Sequence, residues 1–174
     1  MPQGVVAWFD QQSEMTIRSL WEALAEIGVP SPGFDGTATA RPHVTFFYGD
    51  TLAIEPTVAA LSALPALGDL PVRLGSVGVF PRSVLHLPVV PSVDLLHRHR
   101  RVSDAAGQWV KGGHASYGPD RWSPHVTLAS KVPTGLLGAA VEMCASRLPI
   151  VAALTSGGIE DGTTGEAWVV SSLP

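Results

Sequence analysis

The 174-residue sequence contains a single cysteine, Cys144, which excludes a disulfide framework and a cysteine-based zinc site. Cys144 falls on an apolar helical stripe, so a buried, inert thiol is expected. Charged residues are scarce at 15%, against 45% hydrophobic ones. That balance excludes disorder and provides the material for a packed core. Basic residues are scarcer than acidic ones, 11 against 15, giving a net charge of −4 and a pI near 5.8. A broad electrostatic binder of nucleic acid is thereby excluded. An RNA partner must be small or held at a local site, and DNA is not expected. No apolar run is long enough to span a bilayer, and Met1-Pro2-Gln3-Gly4 lacks the basic start of a targeting segment. A cytoplasmic protein with no membrane partner is the expectation. Proline and glycine are plentiful, at 15 and 18, but they punctuate elements and do not gather into a linker. The chain reads as one domain over 1–174, built of two small lobes that share a core.

One tetrapeptide occurs twice. Pro42-His43-Val44-Thr45 and Pro124-His125-Val126-Thr127 both read PHVT, each opening an apolar stretch that predicts a strand. Residues i and i+2 of a strand share a face. Each copy therefore sets an imidazole and a hydroxyl on one face and a valine on the other. With 6 His and 11 Thr, chance supplies roughly 0.4 His-x-Thr triplets, so a single copy carries little weight. Two copies that also share the preceding Pro and the central Val carry much more. The plain alternative is two edge-strand histidines beside β-favouring threonines.

The surrounding elements repeat as well. Val5 to Phe9 predicts a strand, and Ser13 precedes a helical period through Ile17, Leu20, Trp21, Leu24 and Ile27, ended by Gly28 and Pro30. A loop over Ser31 to Ala40, carrying Phe34 and Asp35, leads into Arg41 and the first motif. Pro56 opens a second helix, with Val58, Leu61 and Leu64. Val72 to Phe80 reads as a strand interrupted at Gly75 and Gly78. The order then restarts: a strand over Val84 to Val90, a helix opened by Pro91 or Ser92, a loop through Tyr117 and Asp120, and the second motif. Pro133 opens another helix, Leu148 to Leu154 a strand, and Ala167 to Val170 a last strand beyond turns at Gly157-Gly158 and Gly162 to Gly165. The element-level repeat spans roughly 4–80 and 83–171. A pseudo-twofold arrangement would bring the two PHVT strands side by side or face to face across a groove.

Two imidazoles and two hydroxyls around one cleft are equipment for acid–base chemistry on an anion. One neutral His takes a proton, one charged His gives one, and the threonines donate hydrogen bonds to oxyanions. A phosphodiester or cyclic phosphate suits such a set. Two His provide two ligands for a zinc ion, short of the usual three, and His114 and Asp120 are near the second motif only in sequence. No metal or other cofactor is called for.

Arg41 to Phe46, Gly75 to Leu87 and Trp122 to Leu128, with the paired motif among them, resemble the 2H phosphoesterase superfamily, in its 2′-5′ RNA ligase and RNA 2′,3′-cyclic phosphodiesterase branch. The resemblance implies a bilobal α+β fold, with antiparallel sheets lining a central cleft and helices outside. It implies metal-independent hydrolysis of a 2′,3′-cyclic phosphate or 2′-5′ linkage of RNA or a nucleotide, with reversible 2′-5′ ligation in some members. His43, Thr45, His125 and Thr127 are the implied catalytic set. Relatives often carry a basic residue after the second motif, where Ser130-Lys131 stands here.

Phe80 and Arg82 are candidates to stack a base and reach a phosphate, as such groups do for single strands. Tyr48 and Trp122 flank the motifs and line the cleft or pack the core. Arg41 and Arg121, each close before its motif, face the cleft mouth or the surface. Lys131 completes the candidate substrate contacts. The run His97-Arg98-His99-Arg100-Arg101 predicts a solvated helix face. His86 lies opposite Leu85 and Leu87 and reads as structural. A monomer is expected. The competing function is a non-catalytic RNA or nucleotide-binding module using the same groove, although binding alone needs no pair of proton-transfer groups.

Overall fold

The structure, a computed structural model, describes residues 3–34 and 41–170. The end of the loop expected before the first motif, Asp35 included, lies outside the described residues. In chain order the elements are β1 (Gln3–Phe9), α1 (Gln11–Glu26), β2 (His43–Gly49), β3 (Thr51–Leu52), α2 (Ile54–Ser62), β4 (Leu70–Leu74), β5 (Gly78–Phe80), β6 (Val84–Pro88), α3 (Val93–Ala106), β7 (Val110–Lys111), β8 (His125–Ala129), α4 (Leu137–Ala145), β9 (Ile150–Asp161) and β10 (Ala167–Val170). The fold is α+β with antiparallel sheets, as the sequence predicts. No helix among the described residues is long and apolar enough to cross a membrane.

The first sheet is built on β1 and β9. Val5 to Phe9 are all buried, the mark of a strand covered on both faces. β1 pairs with β2 on one edge and β9 on the other. β9 in turn pairs along its far edge first with β4 and then with β10. The second sheet runs β5-β6-β8. β3 and β7 form a short ribbon beside them.

Several local expectations are corrected. Asp10, not Ser13, caps α1; Ser13 sits in the first turn and donates both its N–H and its hydroxyl to the Asp10 carboxylate. Positive φ at Gly28 then ends the helix region, a conformation that glycine adopts without strain. The single strand expected over Val72 to Phe80 is two strands in two sheets. The break at Gly75 to Val77 lets β4 pair with β9 and β5 with β6. Gly157 and Gly158 are not a turn but the middle of β9. A side chain at Gly158 would meet the Trp168 carbonyl and the Trp8 ring, so glycine permits the close approach of β10 and β1. The basic run on α3 is only partly solvated. Arg98 and His99 are buried, Arg98 donating to the Leu67 and Gly68 carbonyls.

Candidate active site

β2 and β8 are end strands of their sheets, and they pack beside one another. Their phases match. His43 and Thr45 are half-buried while Val44 is buried, and His125, Thr127 and Val126 repeat the pattern. A tryptophan from outside its sheet reaches each motif. Trp122, just before the second motif, donates from Nε1 to the Thr45 carbonyl at 2.9 Å. Trp21, on α1, donates to the Thr127 carbonyl at 3.0 Å. The bonds are reciprocal and tie each motif to an element outside its own sheet. Trp122 also stacks on His99 at 3.9 Å between ring centroids, and His99 Nε2 lies 3.0 Å from the Phe46 carbonyl. The buried part of the basic run therefore backs the first motif.

Both imidazoles are held in the same way. His43 Nδ1 is 2.8 Å from the Arg41 carbonyl, and His125 Nδ1 is 2.7 Å from the Ser123 carbonyl. A carbonyl only accepts, so each Nδ1 carries a hydrogen and each Nε2 is the atom left for proton exchange.

Each motif lines a cavity. The first, about 250 Å³, is bordered by His43, Thr45, Gly4, Val6, Glu160 and Gly162. The second, about 680 Å³, is bordered by His125, Thr127, Phe80, Arg82, His114 and Arg121, among others. Tyr48 and Tyr117 line both, their rings meeting edge to face at 4.9 Å. The cavities are thus adjoining parts of one cleft. Burial, with Tyr48 adding to it, pushes the Tyr117 phenol up to about 12, so it remains a hydroxyl donor at neutral pH.

Electrostatics separate the two histidines. Burial holds His125 below the ordinary histidine value of 6.5; its bond to Ser123 opposes the shift and the charge of His43 adds to it. His86 stacks on Phe80 at 3.7 Å and meets His125 edge-on at 5.3 Å, and burial lowers its pKa as well. Phe80 itself meets His125 at 4.8 Å. Among the described residues, no three His, Cys, Asp or Glu side chains gather as a metal site.

The expected substrate contacts divide. Phe80, Arg82, Tyr48 and Trp122 line the second cavity with His125. Arg82 and Ser83 have positive φ, a costly conformation for residues with a Cβ, in the hairpin between β5 and β6. That turn sets Arg82 at the edge of the cavity. Arg41 lies elsewhere. Its guanidinium pairs with Glu14 at 2.9 Å, sits over the Trp8 ring, and borders a separate cavity with Arg18. Lys131 is exposed, with φ of 56°, and borders neither part of the cleft. Sequence reasoning left Glu160 unremarked, because it falls where turns were expected; His86, read as structural, is buried and borders neither cavity.

A model of the 2′-5′ RNA ligase superfamily matches residues 9–156. Among solved structures, TT0787 of Thermus thermophilus superposes with a TM-score of 0.61 at 16% identity, covering 99% of this chain and 98% of that one. LigT of E. coli, complexed with 3′-AMP, gives 0.60 at 12% identity over 99% and 94%. Usb1 of Kluyveromyces marxianus gives 0.54 at 12% identity over 97% of each chain. No curated protein matches the sequence.

Proposed function

The chain belongs to the 2′-5′ RNA ligase superfamily, and from that premise we propose that it is a phosphoesterase that opens 2′,3′-cyclic phosphates of RNA ends or nucleotides by paired histidine acid–base catalysis. The observation that carries the reading is the matched presentation of His43 with Thr45 and His125 with Thr127 in one cleft, each imidazole held through Nδ1 with Nε2 left available. LigT has been crystallised with 3′-AMP, NADP+ and ATP, which supports a nucleotide as the ligand class.

The environments support a division of labour. His125, lowered by burial, is neutral at pH 7 and serves as the base. Its Nε2 takes a proton from water as the water oxygen bonds to phosphorus. The bond from phosphorus to O3′ breaks, and O3′ takes its proton from protonated His43. The product carries a 2′-phosphate and a free 3′-hydroxyl. Thr45 and Thr127 donate to the non-bridging oxygens as charge builds on them. Phe80 offers a ring for a base, and Arg82 and Arg121 offer cations for a phosphate. The same steps with a 5′-hydroxyl attacking phosphorus in place of water give 2′-5′ ligation, and their reverse cleaves that linkage.

The test is hydrolysis of 2′,3′-cyclic AMP and of a short RNA ending in a cyclic phosphate, with and without EDTA. We expect a 2′-phosphate product and no effect of the chelator. Replacing His43 or His125 by Ala should cost ~10²–10⁴-fold. Replacing Thr45 or Thr127 by Val, which keeps the β-branched shape, should cost ~10²–10³-fold. Full activity in the His43→Ala, His125→Ala double variant would end the proposal.

A further inference from the structure

Glu160 stands on β9 at the floor of the first cavity. Its side chain is 11% exposed, and its Oε2 is 3.4 Å from His43 Nδ1 and 3.1 Å from Trp8 Nε1. Trp8 is fully buried and is the cross-strand partner of His43 in the β1–β2 ladder. A buried carboxylate needs compensation. Among the described residues no lysine or arginine pairs with Glu160, so the neutral Trp8 indole orients it and His43 is its only counter-charge. Arg41, two residues before His43, is turned onto Glu14 and the Trp8 ring. The next residue along β9, Asp161, is engaged by Gln3 and by the backbone of Thr163 and Thr164.

Among the described residues, no carboxylate pairs with His125. Its Nδ1 meets the Ser123 carbonyl, its ring meets Phe80 and His86, and the lining of the second cavity contains no acidic residue. The Nδ1 hydrogen of His43 goes to the Arg41 carbonyl, and the Glu160 carboxylate beside it favours the charged ring by attraction between opposite charges.

We propose that Glu160 is a positioning residue that grips the Nδ1 edge of His43 and makes His43, rather than His125, the proton donor of the cleft. The inference rests on the phosphoesterase reading for its catalytic meaning, but the pairing itself is independent of substrate. The other groups facing His43 fit this role. Tyr48 and Tyr117 border its cavity as phenols, and His125 lies beyond them in the same cleft. Among the described residues, the lining of that cavity contains no acidic residue besides Glu160.

The test is Glu160→Gln, which keeps the shape and an acceptor for Trp8 but removes the charge. By NMR, the ring N–H resonance of His43, bonded to the Arg41 carbonyl with the Glu160 carboxylate beside it, should move upfield, while that of His125, bonded to the Ser123 carbonyl, should stay. In activity, kcat/KM at neutral pH should fall about 10-fold, the order of magnitude for losing one opposite charge at close range. The alkaline limb of its pH profile should shift to lower pH. Trp8→Phe, which frees the carboxylate without removing it, should change both readings in the same direction by less, and it stands in if Glu160→Gln does not fold. An unchanged His43 resonance together with an unchanged profile overturns the inference. A wild-type protein inactive on cyclic phosphates overturns the proposed reaction instead, and the resonance then decides the pairing.

Discussion

Trp122→Phe tests how the two motifs are held in register. The change removes an indole N–H that reaches the Thr45 carbonyl at 2.9 Å across 77 residues of sequence, and it shrinks the ring stacked on His99. Losing one hydrogen bond costs about 1 kcal/mol net, and up to about 3 when the acceptor is left without a donor. The weakened stack adds about 0.5–1 kcal/mol. The sum is about 1.5–4 kcal/mol. For a domain of this length each kcal/mol lowers Tm by about 2–4 °C, so the drop should be about 3–16 °C. The assay pairs thermal unfolding with kcat/KM on 2′,3′-cyclic AMP. Activity should fall although no histidine or threonine is touched, because the lost bond fixes the backbone of Thr45 itself. Trp21→Phe removes the reciprocal bond to Thr127 and should behave alike. A melting point within about 1 °C of wild type, with unchanged kinetics, would refute the idea that these indoles set the motifs.

Other outcomes follow from the same site. Since the base must be neutral and burial lowers His125, the acid limb of the kcat/KM profile should lie below the ordinary histidine value of 6.5; a limb at or above that value would contradict the assignment. Stability should also fall on the acid side. Burial lowers His86 and His99 in the folded state, so the unfolded chain binds more protons between the two values. Their contribution is whole above 6.5 and is lost as pH falls from there through the folded values, which melting curves across that window would record. In His99→Phe that part of the pH dependence should flatten. Gly78→Ala would drive a methyl group into the His86 ring, which packs on Phe80 and His125. Catalysis should suffer more than stability in that variant, and unchanged kcat would show that His86 does not brace His125.

The sequence alone determined the paired motif and its phase. Alternation is local, so His43 and Thr45 had to share a face opposite Val44, and His125 and Thr127 a face opposite Val126, wherever the strands lay. The helices were legible through their periods, and the α+β class through the resemblance that the paired motif carries. The partners of each strand were not. Nothing local distinguishes a break that lets the chain change sheets from a bulge, so Val72 to Phe80 read as one strand and proved to be two. Gly157 and Gly158 read as a turn because glycine is ambiguous without its neighbours; the Trp8 ring and the Trp168 carbonyl decide that they are strand. Once β9 runs on to Asp161, Glu160 faces Gly4 across the ladder and reaches His43, a contact between residues 117 apart in the chain. Charge along a helix was equally undecided, since burial of His99 depends on Trp122 stacking over it from another segment. Arg41 and Arg121 looked alike beside their motifs. Glu14 on α1 draws the first away to its own cavity, while the second stays at the cleft. Spacing along the chain sets which side chains share a face; only long-range packing sets what that face looks upon.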